Sequence, residues 1–111
     1  MNQTSDASRF EFETEWIRGY ARCYGCDVLY DETDLRRQRL FLVDILNIFR
    51  EGFVVYGDKL EARGARWRIE GPTDDGRLFH VDVTVISEIY YVEIERITKE
   101  KGRSDERYSA A

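Results

Sequence analysis

His80 is the single histidine of the chain, and it stands in an alternating run, Leu78 to Ile86, that reads as a β-strand. Alternation puts Phe79, Val81, Val83 and Val85 on one face and His80, Asp82 and Thr84 on the other. The neighbouring runs divide the same way. Trp67 and Ile69 share a face, as do Tyr90, Val92 and Ile94, leaving Arg66, Arg68, Tyr91, Glu93 and Glu95 on the polar side. Pairing Gly71 with Arg77 sets Arg68 opposite His80 and Arg66 opposite Asp82. A two-residue loop at Ser87-Glu88 sets His80 opposite Glu95 and Thr84 opposite Tyr91. In that register an imidazole, the usual acid-base group near neutral pH, lies between a guanidinium that can hold a phosphate and a carboxylate that can orient it. Such a trio suits phosphodiester cleavage, where a 2′-hydroxyl attacks and charge builds on phosphorus. The plain alternative is a solvated face of alternating charges, each pair worth about 0.2–1 kcal/mol. A slip of two residues would keep both faces and change every partner.

Two other groups have chemical potential. Cys23-Tyr24-Gly25-Cys26 is a C-x-x-C motif, half of a structural zinc site, which needs four ligands. With no second Cys pair, a dimer would have to complete it. The redox version of the motif belongs at a helix start after a strand, which this context lacks. Two ordinary, partly buried thiols are the expectation, with no metal and no cofactor. Arg36, Arg37 and Arg39 form a basic cluster flanked by Asp31, Glu32 and Asp34. It reads either as an RNA-phosphate contact or as a helix end with local salt bridges.

The elements that would position these groups follow from periodicity. Phe12, Trp16, Tyr20 and Cys23 recur at helical spacing, predicting a helix over about 12–22. Asp34 is the expected N-cap of a short helical turn, Leu35 to Arg39. Leu42, Ile45, Leu46 and Phe49 define the clearest helix, ending at Gly52 in an expected left-handed cap. Strands are predicted at 53–56, 66–70, 78–86 and 89–97, with Gly71 to Gly76 as a turn. The fold class is α+β: two or three N-terminal helices packed on a three- to four-stranded antiparallel sheet. One domain over 9–98 is expected between polar tails at 1–8 and 99–111.

The composition, 42% hydrophobic and 35% charged, is that of a globular chain and excludes a disordered one. Two cysteines exclude a disulfide scaffold. No apolar run approaches the roughly 20 residues of a membrane span, and the polar start lacks the apolar stretch of a signal peptide, so a cytoplasmic location is expected. The net charge of −5 divides into −5 over 1–34, +3 over 35–71 and −3 over 72–111. The acidic whole repels nucleic acid at long range, while the central segment can still contact phosphate. No membrane and no DNA partner is expected.

The segment Arg66-Trp67-Arg68-Ile69-Glu70-Gly71-Pro72, with Gly76-Arg77-Leu78-Phe79-His80-Val81-Asp82-Val83-Thr84-Val85-Ile86, resembles the sheet of MqsR-type toxins of the RelE/ParE superfamily. The helix Leu42 to Gly52 running into Phe53-Val54-Val55 resembles the helix-to-strand step of related small domains. The resemblance spans about 35–97 and rests on pattern, order and the short run Val83-Thr84-Val85-Ile86. It implies helices packed on an antiparallel sheet, mRNA cleavage without a metal, and an antitoxin partner. It also implies catalysis by a Lys, a Gln and a Tyr on the sheet. The Gln position carries Arg68, the Tyr position carries His80, and Lys59 is the nearest counterpart of the Lys. The expectation is a toxin-like endoribonuclease with His80, Arg68 and Glu95 catalytic. Arg66, Lys59, Arg36, Arg37 and Arg39 would contact RNA. The alternative is a non-catalytic module on the same fold that binds a protein partner.

Overall fold

The computed structural model describes residues 9–60 and 64–100. Three helices, α1 (Glu11–Tyr24), α2 (Glu32–Arg37) and α3 (Leu42–Glu51), precede four strands, β1 (Phe53–Lys59), β2 (Ala65–Pro72), β3 (Leu78–Ile86) and β4 (Tyr91–Lys99). The strands form one antiparallel meander in the order β1-β2-β3-β4, which agrees with the expected α+β class. Among the described residues no helix is long and apolar enough to cross a membrane. The expected tail at 1–8 and residues 101–111 of the expected tail at 99–111 lie outside the described residues, while Lys99 belongs to β4.

The core lies between the helices and one sheet face. Val54, Trp67, Ile69, Phe79, Val81, Val83, Val85 and Val92 meet Ile17, Tyr20, Ala21, Ile45, Ile48 and Phe49, all buried. Helix α1 turns a different stripe inward from the one its aromatic spacing suggests. Thr14, Ile17, Tyr20 and Ala21 are buried, whereas Phe12 is 70% exposed and Cys23 faces solvent. Small and branched side chains fit against the sheet, and the larger rings stack beside it. Thr14 is tolerated in the core because its Oγ1 accepts the Val54 N–H at 3.0 Å.

Asp31, not Asp34, caps α2, accepting the Thr33 N–H at 2.9 Å. Asp34 lies inside the helix and pairs with Arg37. Gly52 ends α3 with extended backbone (φ −94°, ψ −167°), not the left-handed cap expected. Its glycine is required by proximity: a Cβ there would lie 2.3 Å from the Glu70 carbonyl oxygen and 2.6 Å from that of Ile48. Helix and sheet thus touch backbone to backbone.

Both hairpins differ from the expected register by two residues near their turns. In the first, Pro72 pairs with Leu78, so Arg68 faces Asp82 and Glu70 faces His80. The loop closes through Thr73, whose N–H donates to the Arg77 carbonyl at 2.7 Å and whose Oγ1 accepts the Arg77 N–H. In the second, Ser87–Ile89 forms a 3₁₀ turn and Tyr90 is left-handed (φ 55°), so β4 starts at Tyr91. Thr84 then faces Glu93, and a bulge sets His80 opposite Thr98. Up to the bulge the alternation of faces survives, as it must for a shift of two; past it the offset is three and Arg96 and Thr98 take the outer positions.

Candidate functional site: the open face of the sheet

The sheet face away from the helices carries the residues of chemical interest. Three cross-strand rows order it: Arg66 with Thr84 and Glu93, Arg68 with Asp82 and Arg96, and Glu70 with His80 and Thr98. Tyr56 extends the middle row on β1, opposite Arg68.

The middle row is built around an ion pair. Arg68 Nε donates to Asp82 Oδ1 at 2.8 Å and a terminal nitrogen reaches Oδ2 at 3.4 Å. The hydrogen bond to Asp82, followed by its charge, pushes the Arg68 pKa up. A shallow cleft of about 490 Å³ opens over this pair, lined by Tyr56, Arg66, Arg68, Asp82, Glu95 and Arg96.

His80 belongs to a different row. Its Nδ1 lies 3.2 Å from Glu100 and its Nε2 3.9 Å from Glu70, so each ring nitrogen faces a separate carboxylate. Glu70 is 4% exposed although it sits on the open face. Glu95, assigned to His80 by the expected register, instead accepts the Thr84 hydroxyl at 2.7 Å. Tyr91 donates its hydroxyl to Glu93, and that bond raises the Tyr91 pKa. The expected arrangement of His80 between Arg68 and Glu95 is therefore replaced by His80 between Glu70 and Glu100, with Arg68 held by Asp82. Around His80 and the cleft, the carboxylates of Glu70, Asp82, Glu93, Glu95 and Glu100 outnumber the guanidiniums of Arg66, Arg68 and Arg96.

The remaining sequence candidates are dispersed. Lys59 lines a separate cleft of about 490 Å³ with Phe10, Trp67 and Glu88. Arg36 pairs with Glu32 at 3.5 Å and Arg37 with Asp34 at 3.0 Å. Arg37 and Arg39 line a third cleft beside Phe41, Arg77 and Lys99. Cys23 and Cys26 are free and exposed, not partly buried as expected. Among the described residues no three His, Cys, Asp or Glu side chains converge as metal ligands.

The site members that sequence reasoning did not assign are Glu70, Glu100, Arg96 and Tyr56. Glu70 could have been placed on this face by parity with Arg68, whereas Tyr56 reaches it only through a bulge between Val54 and Tyr56 that breaks the alternation of β1. Arg96 and Glu100 could not, because the bulge in β4 changes which residues face outward after Ile94. Comparison of the chain with protein-family models, with curated proteins and with solved structures finds no match in any of the three.

Proposed function

We propose that this chain is a non-catalytic protein-binding module whose docking surface is the open sheet face. The observation that supports this most directly is the pairing of the two key groups. Arg68 is engaged by Asp82, and His80 stands between Glu70 and Glu100. A phosphate arriving at Arg68 would have to displace a carboxylate already bonded to it, on a face with more acidic than basic groups. The same features suit a protein partner. Tyr56 is 53% exposed beside an Arg–Asp–Arg row, a mixture of aromatic and Arg side chains typical of contact surfaces.

One arrangement favours a second reading, a metal-independent endoribonuclease related to the RelE/ParE toxins. Glu100 lies 3.2 Å from His80 Nδ1, which orients the ring and leaves Nε2 as the acid-base nitrogen. In that reading His80 takes the proton of a ribose 2′-hydroxyl as its oxygen bonds to phosphorus. The P–O5′ bond breaks and O5′ takes a proton from water, leaving a 2′,3′-cyclic phosphate and a 5′-hydroxyl, and Arg68 and Arg96 neutralise the charge on phosphorus.

Induction in a bacterial host of the wild type, His80→Ala and Arg68→Ala, with purified protein assayed on mRNA, separates the two. The binding-module reading expects normal growth, no RNA turnover, and a stoichiometric protein complex weakened by Tyr56→Ala and Arg68→Glu but not by Phe12→Ala on the helical side. Growth arrest and RNA cleavage that His80→Ala abolishes would replace it with the nuclease reading.

A further inference from the structure

The Cys23-Tyr24-Gly25-Cys26 segment lies apart from the open sheet face and is packed from two sides. Cys23 sits in the last turn of α1 and Cys26 in the 3₁₀ turn Gly25–Asp27 that follows. Gly25 is buried, and a Cβ there would come within 2.7 Å of the Leu46 side chain, so the backbone of the turn rests directly on α3. Tyr24 stacks on Tyr90 at 4.6 Å. That contact ends a row of rings in which Trp16 stacks on both Tyr20 and Tyr90 and meets Trp67 edge-on. Packing therefore fixes the inner side of the tetrapeptide, while both thiols are free and exposed.

Two cysteines separated by two residues chelate a thiophilic tetrahedral ion, and two ligand positions then remain. The chain cannot fill them with sulfur or imidazole. It holds two Cys and one His, and both ring nitrogens of His80 face carboxylates on the open side of the sheet. A second copy of the same turn supplies the missing pair. A two-fold axis through the metal also brings matching surfaces together. Beside the Cys turn, Tyr24, Leu29, Tyr30, Ile89 and Tyr90 are 39–60% exposed. Leu29 is hydrogen-bonded to β4 next to the Ser87–Tyr90 turn, which ties these apolar residues into one region.

We propose that Cys23 and Cys26 form half of a Cys₄ zinc site that joins two copies of this chain, with the surrounding aromatic and aliphatic side chains as the interface. Each copy contributes two cysteine sulfurs, which together give the four ligands of a tetrahedral site.

The test uses the full chain, free of a histidine tag and kept reduced. Zinc is added and removed while molar mass is followed by light scattering. Zinc should double the mass at half an equivalent per chain, and a chelator should reverse it. Cobalt(II) in place of zinc should give the intense visible bands of a tetrahedral thiolate complex. Cys23→Ser and Cys26→Ser should each abolish both effects with an unchanged far-ultraviolet spectrum, and Ile89→Glu should weaken the dimer with both Cys present. A monomer at every zinc level, one zinc per chain without doubling, or a metal-free dimer dissolved by reductant would each overturn the proposal. So would a dimer that persists in both Cys variants.

Discussion

The two faces of β3 are written in the same nine residues and obey different rules. Phe79, Val81 and Val83 are wholly buried and Val85 nearly so, and any apolar partner of fitting size satisfies them. His80, Asp82 and Thr84 are partly exposed and depend on which side chain stands directly opposite. A shift of two residues leaves the first face almost indifferent and reassigns every contact of the second. Stability in this molecule resides mainly on the apolar face, and chemical identity on the polar one.

The strongest expected effect breaks the apolar face. Phe79→Ala removes a ring with no exposed surface and should cost about 3–5 kcal/mol, read as a lower midpoint in urea at an unchanged slope. Next is the helix-to-sheet contact. Gly52→Ala forces a Cβ against the carbonyl oxygens of Glu70 and Ile48 and the Gly71 Cα, all within 2.9 Å. Backbone cannot rotate away as a side chain can, so a loss of about 2 kcal/mol is expected by the same measurement.

This division explains what could be read without coordinates. The order of helices and strands and the apolar face of β3 follow from periodicity, because burial forces period 2 on a strand and about 3.6 on a helix. The boundaries of α3 are read correctly for the same reason. The grouping of His80 with Glu70 and Glu100, in place of Arg68 and Glu95, is not recoverable, because it hangs on two turns. The Thr73 hydroxyl and backbone close the first turn, and the left-handed Tyr90 lengthens the second. The first carries Asp75-Gly76, but within a five-residue loop from Thr73 to Arg77 instead of the two-residue hairpin that dipeptide announces, and the second has no such signature. The bulge after Ile94 leaves no mark in composition, so the companions of His80 emerge only from the three-dimensional pairing.

Tyr20 sharpens the comparison from inside the core. Its ring is buried among Ile17 and its aromatic neighbours, and among the described residues its hydroxyl has no hydrogen-bond partner. Burial first, and Asp27 second, push its pKa up from 10.0 to about 12. A phenol whose folded pKa is raised contributes its full stability below the unfolded value and loses it as pH rises through the folded one. Stability should therefore decline between about pH 10 and 12 on account of this group. Tyr20→Phe should flatten that decline and, at neutral pH, raise stability by about 1 kcal/mol, because it removes an unsatisfied buried oxygen.

The smallest expected effect concerns the polar face. The Arg68 side chain is 46% exposed and that of Asp82 17%, so their charges interact largely through solvent. A double-mutant cycle with Arg68→Ala and Asp82→Ala should return a coupling of about 0.5 kcal/mol that shrinks with added salt. In the same cycle built on Arg68 and His80, the pair that simple alternation suggested, the coupling should be indistinguishable from zero. A larger Arg68–His80 coupling would mean that the two side chains meet in solution. The pairing of Arg68 with Asp82 and of Glu70 with His80 would then be wrong, and the phosphate-binding trio would regain the geometry that nuclease chemistry needs.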